Sequence, residues 1–401
     1  MNARDGEEGT ARNSIDRRGM ASLAIGHFTV DLAQGVPPAL LVFLIPKLHL
    51  TYAMGAGVIL AVSLSAALVQ PLSSRLSDRP DGAMWLLSAG VLLGGAGVSL
   101  AAVAPSYPLV LCCVFASGLG IGVYHPEAAK FARYVSGVRR ASGMSLFAIG
   151  GNAGVAVGPI LTSTLVIALG LEGGLLLFVP AVLAAAVLTT ESRYLRAFIP
   201  REASANRRRI VGGQPRALWL LVVVGVLRSV GYFGIFTFVP LYEVAQGASK
   251  ADGTRLLTYV LATGAVATLV AGPIADRIGG RPVLFWSGVA GIPLLIFYVL
   301  HRGLLGDAAL MLSGASISAT FGVQIVMAQQ YLPGRVALAS GLTVGVPIGL
   351  GATAAVGLGA IADAIDLRTA LLVTSIAPTL AAILTLGLAP VRQLTSTPAA
   401  A

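Results

Sequence analysis

Three polar residues and a proline, His27, Asp31, Gln34 and Pro38, follow one another at intervals of four, three and four inside an apolar stretch. That spacing sets them along one face of a 3.6-residue helix. A carboxylate in apolar surroundings costs about 2.5–3.5 kcal/mol on membrane-insertion scales. Asp31 is therefore expected either to carry protons or to hold a static hydrogen bond to another helix. His27, one turn away, belongs to the residue type suited to moving protons at physiological pH and either relays the Asp31 proton or serves as hydrogen-bonded structure. Arg228, Tyr232 and Phe236 repeat at four-residue spacing in a second apolar stretch. There Arg228 would face Asp31 or an anionic cargo and the two rings would floor a cavity, unless these are a fixed ion pair and ordinary packing. In Tyr124-His125-Pro126-Glu127, Pro126 removes a backbone hydrogen bond and Glu127 is a second proton candidate, unless Lys130, Arg139 or Arg140 pairs with it. The proton-handling set is thus Asp31, His27, Glu127 and His125. The cargo-contacting set is Gln34, Arg228, Tyr232, Phe236, Tyr124 and Asn152.

The elements that must position these residues follow from composition. In 401 residues, 56% are hydrophobic and 11% charged, more apolar surface than one soluble core of this size can hide. A spanning helix needs about 20 apolar residues, and twelve such stretches run over 21–45, 53–74, 84–104, 107–129, 141–168, 172–189, 217–241, 255–275, 283–301, 307–330, 337–361 and 368–389. The expected fold is an all-α polytopic membrane protein. Its 49 glycines and 21 prolines suit a membrane bundle, where small residues let backbones approach and neighbours satisfy freed groups. Adjacent Cys112 and Cys113 have no metal-ligand spacing and read as packing residues. The formal charge of +10 has no soluble basic face to occupy, so nucleic acid is not an expected partner. No metal cluster, nucleophile elbow or phosphate loop stands at a span end, so neither a metal site nor an enzyme is expected.

With a cytoplasmic N-terminus, loops on the inside hold 21 of the 27 Lys and Arg, and Lys47, Lys250, Arg255, Arg302 and Arg368 lie outside. That asymmetry places both termini in the cytoplasm. An internal repeat accompanies it at an offset of 198 residues. Asp78-Arg79 aligns with Asp276-Arg277, and Ala141-Ser142-Gly143 aligns with Ala339-Ser340-Gly341. An even number of spans per half implies an axis along the membrane normal and a cargo site near midplane between the halves. The expected divisions are a tail at 1–20, a six-helix bundle at 21–189, an Arg-rich cytoplasmic linker at 190–216, a second bundle at 217–389 and a tail at 390–401. The two DR pairs and Arg281 sit in tight loops where they would cap helix ends and latch a conformation.

The repeated DR loop, nearly complete as GPIADRIGGR, resembles the signature of the major facilitator superfamily, and Gly154-x-x-x-Gly158-Pro159 resembles the helix 5 motif of its proton antiporters. VYHPEAAKFAR, SLFAIGGNAGVAVGP and AQQYLPGRVALASGL are similar to the fosmidomycin resistance branch. The resemblance implies the major facilitator fold and proton-driven efflux of an antibiotic or related compound from a bacterium across its inner membrane. It implies alternating access and gating roles for Asp78, Arg79, Asp276, Arg277, Arg281, Gly154, Gly158 and Pro159. No cofactor is expected beyond the proton gradient, and the partners are a small molecule, protons and the bilayer, for a monomer. The first loop departs from the signature in Ser74 and Pro80-Asp81-Gly82, no arginine stands near Gly118, and Gln330 occupies a position where the branch suggests a carboxylate. A proton-coupled uptake carrier is the competing reading, since the same architecture serves both directions.

Overall fold

The computed structural model describes residues 14–77, 83–199 and 213–389, and among them there is no strand. Thirteen α-helices follow one another: α1 (Arg17–Leu48), α2 (Tyr52–Ser77), α3 (Trp85–Val103), α4 (Tyr107–Val135), α5 (Arg140–Leu169), α6 (Phe178–Arg196), α7 (Pro215–Ala245), α8 (Lys250–Ile278), α9 (Gly280–Leu300), α10 (Leu304–Tyr331), α11 (Val336–Ala364), α12 (Leu367–Thr374) and α13 (Ile376–Thr385). They make twelve spans long and apolar enough to cross a bilayer. The sixth joins a 3-10 turn, Leu171–Leu177, to α6, and the twelfth joins α12 to α13. Prolines such as Pro126, Pro159 and Pro240 lie inside helices that continue through them, as neighbouring spans allow. Large apolar side chains such as Trp85, Trp286, Leu183 and Leu304 are exposed, the surface a bilayer covers.

Several boundaries depart from the hydropathy, each for a local reason. The first helix begins at Arg17, not at residue 21, because Asp16 caps it by accepting from Gly19 N at 2.7 Å. Arg18 extends the turn by a bidentate pair with Glu191 at 2.7 and 2.8 Å, and Tyr194 donates to Asp16 Oδ2 at 2.7 Å. The same contacts explain why α6 runs on to Arg196, inside the stretch expected as linker. The final span is broken at Ser375, since Pro378 has no N–H to offer the Thr374 carbonyl. Asp366 opens α12 by accepting from Thr369 N at 2.6 Å, and that bond holds its carboxyl below the usual range. Asp78 and Arg79, expected in the first gating loop, lie outside the described residues, as do most of the linker and both tails.

The chain divides into two compact units. The first holds α1, α3 to α6, α2 from Gly57 onward, and Gln246–Thr258 from the start of α8; the second holds Thr51–Ala56, α7, the remainder of α8 and α9 to α13. Within the first unit α1 is the most enclosed span, with 83% of its apolar window buried, so its polar residues are held among helices of that unit. In the second, Leu218, Leu221, Met327 and Tyr331 anchor an apolar cluster that ties α7 to α10.

Candidate functional site

The site in the first unit depends on how closely α1 and α5 approach. Gly150, Gly154 and Gly158 recur every fourth residue and form one groove on α5. A β-carbon at Gly150 would press on the Ala24 carbonyl, one at Gly154 on the Phe28 carbonyl, and one at Gly158 on Gly35 and the Leu32 carbonyl. The helix 5 motif is therefore the floor on which α1 lies. Gly151, on the next face, leaves the room that His27 and Asp31 occupy, since a β-carbon there would collide with both side chains. From the other side α4 is fixed to α1 by Tyr124, fully buried, whose hydroxyl donates to the Leu23 carbonyl at 2.8 Å.

In that niche His27, Asp31 and His125 converge. His27 Nε2 stands 3.2 Å from Asp31 Oδ2, and His125 Nε2 stands 3.2 Å from Asp31 Oδ1. Each imidazole is oriented through its other nitrogen, His27 Nδ1 by the Phe147 carbonyl at 2.8 Å and His125 Nδ1 by the Ile121 carbonyl at 2.7 Å. A carbonyl only accepts, so both Nδ1 atoms carry their hydrogens. A neutral imidazole of that tautomer turns a bare Nε2 lone pair toward a carboxylate oxygen. The arrangement is therefore attractive only when a proton lies between Nε2 and oxygen. With no proton there, the triad carries one negative charge and two repulsive contacts; one proton makes it neutral, and two give it one positive charge. Phe147 also stacks on the His27 ring at 4.0 Å between centroids, which leaves the ring little freedom to turn away. His125, with its side chain 28% exposed against 11% for His27 and Asp31, is the most exposed member of the three.

The three ligand-type atoms lie within 4.8 Å of one another, so two imidazoles and a carboxylate could also hold a divalent transition metal. Each imidazole has the second-nitrogen hydrogen bond that such a site uses.

Glu127, grouped with these residues by sequence, belongs to another network. It is fully buried, accepts from Ala83 N at 2.8 Å and pairs with Lys130 at 2.9 Å, while Lys130 donates to the Ser77 carbonyl. These bonds clamp the end of α2 and the approach to α3 onto α4. Gln34 and Asn152 are half-buried.

In the second unit Arg228 is buried, with Nη1 donating to the Ile317 carbonyl at 3.2 Å and the guanidinium over the Phe321 ring at 5.6 Å. Asp31 and Arg228 each have partners within their own unit. Tyr232 stacks on Phe236 with centroids 5.4 Å apart. Asp276 and Arg277 are exposed, and Arg281 donates to the Leu386 carbonyl. Phe147, Gly151 and Gln324 were not among the expected site residues. Only the four-residue interval between Phe147 and Gly151 hints that they share a face.

Comparison with known proteins agrees with this architecture. The family model of the Major Facilitator Superfamily matches residues 23–346. The chain is 29% identical over 372 residues to the uncharacterized MFS-type transporter YfnC of Bacillus subtilis (strain 168), across 89% of this chain and 90% of that one. It is 28% identical over 354 residues to the fosmidomycin resistance protein of Escherichia coli (strain K12), across 86% of each. Among solved structures it is similar to a bacterial homolog of the human lysosomal transporter Spinster, with a TM-score of 0.76 at 15% identity over 92% of this chain and 95% of that one. The xylose transporter XylE of E. coli gives a TM-score of 0.73 at 12% identity, over 94% and 97% respectively. With twelve spans, the fold of solved transporters and a family match over most of its length, the chain is a multi-pass membrane transporter and not an enzyme, and it belongs to the Major Facilitator Superfamily.

Proposed function

We propose that the protein is a proton-coupled exporter of a small organic compound, exchanging cargo for protons by alternating access, with His27, Asp31 and His125 as the proton site. The observation that carries this reading is the pair of Nε2-to-carboxylate contacts at 3.2 Å, each needing a proton to be attractive. A largely buried group of three, with His125 its most exposed member, whose charge runs from negative to positive with two protons suits coupling to a proton gradient, which then needs no cofactor. Export is favoured by the helix 5 glycines and by likeness to a fosmidomycin resistance protein. Gln34, Asn152, Tyr232, Phe236 and Arg228 are assigned to the cargo, and Tyr124 to holding α4 on α1. Glu127 is assigned to the turn after α2, with Asp78, Arg79, Asp276, Arg277 and Arg281 as latches of the conformational cycle and Gly154, Gly158 and Pro159 as its helix 5 hinge. The basic residues counted on one side support a topology with both termini in the cytoplasm of a bacterial inner membrane, and the working form in this reading is a monomer.

Proteoliposomes holding a pH dye, given a panel of candidate compounds, test direction. Proton movement opposite to the cargo supports export; movement in the same direction makes the protein an importer using the same triad. A second reading, a metal at the triad, is favoured by its donor set. It predicts that treatment with a strong chelator abolishes transport, whereas the proton reading predicts an unchanged rate.

A further inference from the structure

Among the described residues, no carboxylate forms an ion pair with Arg228. Its guanidinium offers five N–H donors. Among the bonds formed are one to the Ile317 carbonyl at 3.2 Å and one, at the limit of hydrogen bonding, to the neighbouring Ser229 hydroxyl at 3.5 Å. Nε is buried and unpartnered. A charge so placed is expensive in a membrane interior unless something neutralises it. The residue lines a partly open cavity among α7, α9, α10 and α13 of the second unit, and Gln324, only 2% exposed, lines it too, with its amide Nε2 also buried and unpartnered. Thr320, Ser316 and Ser287 add hydroxyls, and none of the described residues lining the cavity is acidic. The free space holds roughly two water-sized bodies, enough for one monatomic anion and too little for an organic cargo.

We propose that this cavity is a binding site for a small inorganic anion of halide size, chloride being the physiological candidate, held by Arg228 Nε and Gln324 Nε2. In the absence of cargo the anion neutralises the buried charge that Arg228 otherwise offers to the cargo, and the site is independent of the direction of transport and of the proton reading at the triad. A water molecule could fill the same volume but would leave the charge in place. An anion satisfies both free donors and cancels it.

The test uses the purified full chain, without cargo, at constant ionic strength. Replacing sodium gluconate by sodium bromide is expected to raise the melting temperature of the native protein saturably, by roughly 2 °C or more. The rise should be lost in Gln324→Leu and in Arg228→Met. Radioactive chloride in equilibrium dialysis is expected to bind the native protein at one ion per chain and to be displaced by bromide, a measurement that needs no variant to fold. Absence of saturable chloride binding would overturn the proposal. So would binding that survives in both variants, which would place the ion elsewhere, or a melting rise linear in bromide, which would mark a general salt effect.

Discussion

At the scale of single residues, the chemistry lies in which nitrogen of each imidazole is already committed. The Phe147 and Ile121 carbonyls consume the Nδ1 hydrogens of His27 and His125, so any proton that a ring shares with Asp31 lies between its Nε2 and a carboxylate oxygen. Only four histidines exist in the chain, which makes 15N-labelled histidine spectra tractable. Two rings are expected to keep Nδ1–H throughout while their Nε2 signals titrate together, and in Asp31→Asn that joint titration should separate. Two independent Nε2 titrations in the native protein would contradict the triad. Substituting His125 by Gln replaces a titrating contact with a permanent donor, and the expected result is transport that no longer follows the pH gradient while cargo binding persists. Gly151→Ala pushes a methyl into the space of Asp31 and His27, so it should impair coupling while the chain still inserts, whereas a purely structural role would lower stability without changing the pH profile.

The helical face bearing His27 and Asp31 was legible in the sequence because polar residues on a four-residue beat stand out in an apolar stretch. His125 was legible as a titratable group beside a helix-bending proline. What was hidden is pairing across helices. Nothing local in α1 says that Asp31 meets His125 of α4, and nothing local in α4 says that Glu127 accepts from Ala83 N, although its pairing with Lys130 was one of the alternatives its charge left open.

At the scale of elements, the glycines of α5 act as one groove. The motif Gly154-x-x-x-Gly158-Pro159 was visible from sequence, but its partner was not, because a groove does not name the helix that fills it. The structure supplies α1, with Gly154 against the Phe28 carbonyl. Gly154→Ala must therefore force the two backbones apart, at a cost of about 1–3 kcal/mol, and a lowered melting temperature should accompany weaker coupling. Unchanged stability would mean that α1 and α5 are not in contact there. Helix ends were the least legible feature, since hydropathy stops where the apolar run stops, whereas α1 starts at a capping Asp16 and is tied by Arg18 to Glu191. The kink at Ser375 likewise follows from the single Pro378 and not from hydropathy.

At the scale of the whole molecule, membrane class, span number and the two-fold repeat follow from bulk quantities: 56% hydrophobic residues, twelve apolar stretches and motifs at one offset. These are large signals, and the solved transporters share the fold despite 12–15% identity. The counting of basic residues predicts that cysteines introduced at residues 5 and 396 react with an impermeant thiol reagent only from the cytoplasmic face; reaction from outside would reverse the orientation. The central claim concerns protons at one carboxylate, and the most direct measurement is proton flux in proteoliposomes on adding a compound that the native protein moves, for the native protein and Asp31→Asn side by side. The account predicts cargo-dependent proton movement in the native protein, and none above protein-free vesicles in the variant, with the variant still inserted and folded. Equal proton movement in both would contradict it and return Asp31, with its two histidines, to a purely structural role.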